Sequence, residues 1–161
     1  VHMSRGLGDV YKRQGYDNWK KALEHVEDTG MKVLVENTAG GKNSVARYMD
    51  SIERLWEVIG HLNVGLCLDT CHTWAGGIPT IDAVKGFKKL VKKIDLIHFN
   101  DSKDGFESSR DRHENLGKGK IPKEELEYVI KNAKTDIIVE TPNGLDAQKK
   151  DIAWIRRRLK K

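Results

Sequence analysis

Apolar residues along this chain switch period repeatedly, from steps of three and four to short unbroken runs and back. Residues 17–29 (DNWKKALEHVEDT) place Trp19, Ala22, Leu23 and Val26 on one face of a helix, with Asp17 as its candidate cap. The run KVLVEN at 32–37 is of strand type. Residues 44–60 then carry Val45, Tyr48, Met49, Ile52, Leu55, Trp56 and Ile59 at helical spacing. VGLCLD at 64–69 is a second strand-type run. Thr80 is a candidate cap for a helix with Ala83, Val84, Phe87, Leu90 and Val91, and DLIHFN at 95–100 returns to strand type. Pro122 suits the first turn of a helix bearing Leu126, Val129, Ile130 and Ala133. DIIVET at 136–141 is the fourth strand, and Ile152, Ile155 and Leu159 mark a closing helix. Regular alternation of helices with short apolar strands of buried type predicts an α/β fold built of βαβ units around a parallel sheet.

Polar residues fall in a pattern of their own. KVLVEN holds Glu36, VGLCLD ends in Asp69, DLIHFN holds His98 and DIIVET holds Glu140. The loops at the carboxyl ends of parallel strands build active sites. One acid or imidazole there is unremarkable, because strand ends are often solvated; four from four strands form a convergent set. His72 lies three residues past Asp69. The long polar stretch HFNDSKDGFESSRDRHENLGKG contains Asp111 and His113, two apart, which an extended backbone would point the same way. Carboxylates and imidazoles in this mixture suit a divalent cation such as Zn²⁺ or Mn²⁺. Seven candidate ligands exceed what one tetrahedral ion takes, so more than one metal is the economical reading.

Bland readings suffice elsewhere. Cys67 faces a strand interior and reads as a small buried hydrophobe, and Cys71 as a spacer in the turn. His25 and His61 read as surface or packing residues, and Trp56 as core. Trp74 could line a site or close a turn. RRRLKK reads as a solvated helix end, and the glycines of GKGK at 117–120 are a weak phosphate signal.

Composition narrows the class only modestly. The chain has 161 residues, 38% apolar and 33% charged, which suits one soluble domain. No run approaches the roughly 18 to 20 apolar residues of a membrane helix. Two cysteines in one stretch make no disulfide framework, which fits a reducing cytoplasm. Net charge is +5, to which the first fourteen residues give Arg5, Lys12 and Arg13 against Asp9. Those residues, VHMSRGLGDVYKRQ, show no helical or strand period and are expected to be a non-native leader. The remaining charge, about +3, is compatible with a nucleic-acid partner without indicating one.

ENTAG at 36–40, CLDTCH at 67–72, HFNDSK at 98–103, DRHENLGKG at 111–119 and VETP at 139–142 together resemble the endonuclease IV family, the metal-dependent apurinic/apyrimidinic endonucleases of base-excision repair. The resemblance runs from about residue 17 to the end. It implies a TIM-type (β/α)8 barrel with three metals, usually zinc, with manganese as the other candidate. Carried onto this chain, Glu36 would bridge the first and second metals. Asp69, His98 and Glu140 would complete the second, and His72, Asp111 and His113 would hold the third. Asp69 and His72 would thus serve different ions. Cleavage 5′ to abasic sites in double-stranded DNA is the implied activity, leaving a 3′-hydroxyl and a 5′-deoxyribose phosphate. Glu36 and Glu140 would hold the attacking hydroxide, while Asn100 and Arg112 would support ligands or contact phosphate.

Such barrels run to roughly 250 residues. Residues 15–161 are therefore expected to be the C-terminal half, strands five to eight, with two further histidines of the first metal outside the chain. Little or no endonuclease activity is expected from this length alone. Full-length family members are monomers, but a half barrel has two bare sheet edges that invite self-association. A sugar isomerase or epimerase of the related xylose-isomerase-like barrels is the alternative enzyme, disfavoured because it has no need of a third metal. A non-catalytic metal-binding fragment is the alternative outside enzymes.

Overall fold

The short apolar runs pair side by side as a four-stranded parallel sheet in the computed structural model, which describes residues 2–160 and side chains from Val10 onward. In chain order the elements are α1 (His2–Glu27), β1 (Val33–Glu36), α2 (Met49–Ile59), β2 (Val64–Asp69), α3 (Thr70–Gly76), α4 (Thr80–Leu90), β3 (Leu96–His98), β4 (Asp101–Ser102), β5 (His113–Glu114), α5 (Lys123–Ala133), β6 (Asp136–Ile138) and α6 (Gly144–Leu159). Sheet order is β1-β2-β3-β6, every pairing parallel, and β4 with β5 forms a separate antiparallel ribbon. This is the α/β architecture that the alternation of elements implies, arranged as the partial barrel that the resemblance implies. No described helix is long and apolar enough to cross a membrane.

Side-chain alternation divides the sheet into two faces. Leu66, Leu68 and Ile97 join Phe87, Leu126, Val129 and Ile155 in the main core, against α4, α5 and α6. Val35 packs with Leu55, Ile59, Tyr16 and Leu23 in a second cluster under α1 and α2. The opposite face is set by register. Glu36 lies beside Cys67, Asp69 beside His98, and His98 beside Ile138, two residues before Glu140. Period two therefore directs Glu36, Asp69, His98 and Glu140 to the face away from the helices, at the carboxyl ends of the strands.

Several expected boundaries move. Residues 2–14, aperiodic in sequence, continue α1, so the first helix does not begin at 17 and Asp17 does not cap it. Val10, Tyr11, Arg13 and Gln14 are exposed along this stretch, and among the described side chains Tyr16 is the first to enter a core. The second helix begins at Met49 rather than 44. Residues 37–48 instead close on themselves, with Thr38 N donating to Ala46 O at 2.9 Å and the Thr38 and Ser44 hydroxyls 2.7 Å apart. Helix α3 was not foreseen. Asp69 caps it, accepting from His72 N at 2.8 Å, and Gly77 ends it at φ 93°. Thr80 is not the cap of α4. Glu125 of α5 accepts from the Thr80 and Ile81 amides and caps that helix from a neighbouring element. Finally, β6 is not of buried type, for it is an edge strand with Ile138 47% exposed.

Candidate metal centre

Each strand end delivers its residue to one rim. Ligand atoms of Asp69, His98 and Glu140 lie within 4.8 Å of one another, as do those of His72, Asp111 and His113, and those of Glu36, Asp69 and His72. Glu36 Oε1 is 3.1 Å from His98 Nδ1 and 3.3 Å from His72 Nδ1, so it stands between the two imidazoles. His98 Nδ1 is also 3.2 Å from Glu140 Oε2. All seven side chains singled out from the sequence thus share one rim, in two adjoining groups that Glu36 and Asp69 connect.

The histidine tautomers follow from their second nitrogens. His72 Nδ1 is 2.8 Å from Asn37 O, and His113 Nδ1 is 3.2 Å from Glu140 O. A carbonyl accepts only from an N–H, so in the neutral rings both Nε2 atoms carry bare lone pairs. Asp111 spans them, its Oδ2 3.1 Å from His72 Nε2 and its Oδ1 3.2 Å from His113 Nε2. Neither contact has hydrogen-bond alignment, and these two nitrogens are the buried side-chain polar atoms left without a partner among the described residues. Two lone pairs and a carboxylate aimed at common space form a cation-binding arrangement.

Electrostatics point the same way. Glu36, Asp69, Asp111 and Glu140 converge, and among the described residues none pairs with a lysine or arginine. Burial raises the Asp69 carboxyl. For Glu36, burial works against the anion, but the His72 hydrogen bond and the His98 charge outweigh it and hold the carboxyl below its usual range. Burial alone would lower the pKa of His72; the Glu36 hydrogen bond and the charges of Asp69 and Asp111 instead push it up to about 10. A pocket that holds a proton this firmly lacks positive charge, which a divalent ion can supply. The residues therefore fit the metal that the resemblance implies.

Around these groups lies a scaffold of amides. Asn100 is fully buried, its Nδ2 donating to Asp69 Oδ2 at 2.8 Å and its Oδ1 accepting from Glu140 N at 2.8 Å. It therefore braces two candidate ligands and is itself closed off from the surface. Asn37 exchanges hydrogen bonds with the Asp69 backbone across β1 and β2, at 2.8 and 3.2 Å. Asp151 of α6 accepts from Asn115 Nδ2, Leu116 N and Thr141 Oγ1 at 2.7, 3.0 and 2.6 Å, and so ties the chain after His113 to the chain after Glu140. Sequence reading missed Asn37 and Asp151. The signal for Asp151 was available, since it lies four residues before Ile155 on the apolar stripe of α6.

The remaining candidates settle outside the cluster. Arg112 is exposed and forks onto Asp104, which Arg110 also approaches. Trp74 holds the loop after β4, its Nε1 donating to Asp104 O at 3.2 Å and its ring meeting Phe106 edge-on at 5.0 Å. The sulfurs of Cys67 and Cys71 lie within 4.8 Å of ligand atoms, but burial pushes both thiols up to about 12, which supports packing over ligation. The GKGK amides are already taken, Gly117 N and Gly119 N by Asp101, Lys118 N by Asn115 O and Lys120 N by Ser102 O, so they offer no phosphate nest.

Residues 4–158 match the family described as Xylose isomerase-like TIM barrel. "Probable endonuclease 4" of Mycobacterium tuberculosis is 48% identical over 158 residues, covering 98% of this chain, and the chain spans 62% of that relative's length. Endonuclease IV from Thermus thermophilus superposes with a TM-score of 0.74 at 29% identity, over 90% of this chain and 58% of that one. A D-tagatose 3-epimerase-like protein reaches a TM-score of 0.69 at 18% identity, over 98% of this chain and 57% of that one, a likeness of fold alone.

Proposed function

Because the chain belongs to the xylose isomerase-like TIM barrel family and gathers two adjoining carboxylate–imidazole groups on one rim, we propose that it forms part of a cytoplasmic, metal-dependent DNA-repair endonuclease that cleaves 5′ to abasic sites in double-stranded DNA. One observation carries the reading: the His72–Asp111–His113 group, with two buried Nε2 atoms that lack a hydrogen-bond partner, beside the Asp69–His98–Glu140 group. The His72–Asp111–His113 group corresponds to the third metal of the resemblance, of which a sugar isomerase has no need. The endonuclease names of the relatives support the same choice.

In this reading Asp69, His98 and Glu140 would hold one ion, which Glu36 would share with a further ion, and His72, Asp111 and His113 would hold another. Zn²⁺ suits the mixture of nitrogen and oxygen donors, and Mn²⁺ is the alternative. Such ions would bring the pKa of a water near neutrality and offset the charge that builds on the phosphate. The chain's own residues do the rest. Glu140 presents Oε2 at the open rim, where it can take a proton from the attacking water. Glu36, held between His72 and His98, orients that water. Exposed Lys103, Arg110, Arg112 and Lys118 on and beside the β4–β5 ribbon offer charge to the flanking phosphates. Hydrolysis leaves a 3′-hydroxyl and a 5′-deoxyribose phosphate.

The test uses the protein extended to the length of its relatives, given abasic-site duplex and, separately, ketose and aldose sugars. Strand cleavage that a chelator abolishes and zinc restores, with no sugar interconversion, is the expected result. Isomerisation without cleavage would overturn the proposal. The 161-residue chain should show little turnover in the same assay.

A further inference from the structure

Asp101 is a fully buried carboxylate with no lysine, arginine or histidine partner among the described residues. Four backbone amides serve it instead. Ser102 N and Ile121 N donate to Oδ1 at 2.8 and 3.1 Å, and Gly117 N and Gly119 N donate to Oδ2, both at 3.0 Å. Amides from alternate residues 117, 119 and 121 thus wrap an internal anion as a backbone nest wraps phosphate. Lys120 N adds a bond to Ser102 O at 2.7 Å. The fit leaves no room at Gly119, where a Cβ would collide with Asp101 Oδ1 and Ser102 O.

What this cradle holds in place is the weaker half of the site. Asp69 and His98 stand on the parallel sheet, and the Asn100 bridge adds Glu140 to them. His113 instead stands on a ribbon of two residue pairs, Asp101 with Glu114 and Ser102 with His113, and Asp111 on the loop that leads into it. A two-stranded ribbon of that size is marginal by itself. Asp101 lies directly across from Glu114, beside His113, and draws the segment after β5 back onto β4. We propose that Asp101 is the positioning residue of the His72–Asp111–His113 group, an internal anion that determines where β5 delivers His113. Burial raises the pKa of Asp101, and its four amide bonds act against that rise, in favour of the anion. The inference rests on the metal reading above and goes beyond it, because Asp101 points no atom at an ion and acts only through backbone.

The chain is stripped with chelator, reloaded with Zn²⁺ or Co²⁺, and examined by elemental analysis and by the visible spectrum of the cobalt form. Asp101→Asn keeps one acceptor oxygen and turns an NH₂ against amide donors. It should fall from about two ions per chain to about one, the number its two donor groups predict. The cobalt band it loses should be the one lost in His113→Ala, with the band of the other group unchanged. In metal-free protein, hydrogen exchange at Gly117, Gly119 and Ile121 should quicken by roughly tenfold or more. Gly119→Ala, which keeps the carboxylate but wedges the segment away, should reproduce these losses if Asp101→Asn fails to fold. Wild-type metal content and spectrum in either folded variant would overturn the inference. If the wild-type chain takes up no ion, the proposed function fails instead, and amide exchange alone decides for or against the cradle.

Discussion

Replacing Asn100 with alanine should be among the costliest single changes in this chain. Its amide is the donor that satisfies Asp69 Oδ2, and its carbonyl is the acceptor for Glu140 N. Asp69 is wholly buried, so water cannot take over the vacated position without opening the sheet. A hydrogen bond to an ionised group contributes about 1.5–3 kcal/mol, and one between neutral groups about 1 kcal/mol. Losing both costs about 2.5–4 kcal/mol, a large share of the ~5–15 kcal/mol by which domains are stable. For a chain of this size that corresponds to a fall in Tm of roughly 5–16 °C.

Urea unfolding in chelator, comparing midpoints at constant slope, is the assay for the Asn100 change. Asn100→Asp sharpens it, because that variant sets a second carboxylate against Asp69 Oδ2 where a donor stood. Like charges at that distance disfavour double ionisation and raise the folded pKa of the pair. Stability is then lost as the pH rises through that raised pKa and recovered below it, where the pair holds a proton. Asn100→Asp should therefore be worse than Asn100→Ala at pH 7 and should improve on acidification. A cost below about 1 kcal/mol for Asn100→Ala would refute the reasoning, since Asp69 would then be finding other donors.

Two further outcomes are expected. Removing the Glu125 cap on α4 by Glu125→Ala should cost about 1–2 kcal/mol by thermal unfolding, although residue 125 lies 45 positions from Thr80, with which it shares no helix. Cys67 and Cys71 are buried with thiols raised from 9.0 to about 12, so a thiol reagent at pH 8 should label them only after unfolding. Because the folded thiols bind their protons more tightly than the unfolded ones, the stability they contribute is intact below pH 9 and should decline as pH rises from there toward 12.

Why the ligands could be read from the sequence while their supports could not is a matter of what each residue violates. Glu36, Asp69, His98 and Glu140 each interrupt or end an apolar run, and four such breaks at equivalent strand positions form a pattern visible in one dimension. Asp111 and His113 stood out through the D-x-H spacing, although the ribbon that presents them was invisible, because two residue pairs are too few to show a period. Asn100 and Asn37 break nothing: amides after strands are ordinary, and only register reveals that one bridges Asp69 to Glu140 and the other braces β1 against β2. Asp101 carries no mark in one dimension and GKGK only a weak phosphate signal, and neither has meaning without the other. The boundary of α1 failed for the opposite reason. Residues 10–14 are helical with mostly exposed side chains, so no core-facing stripe records that part of the helix before Tyr16. The two halves of the site thus differ in how they are secured. One inherits its geometry from a parallel sheet whose pattern is written along the strands. The other depends on a buried anion and backbone amides drawn from residues up to twenty positions away. Substitutions that leave every proposed ligand intact should consequently damage the His72–Asp111–His113 group first.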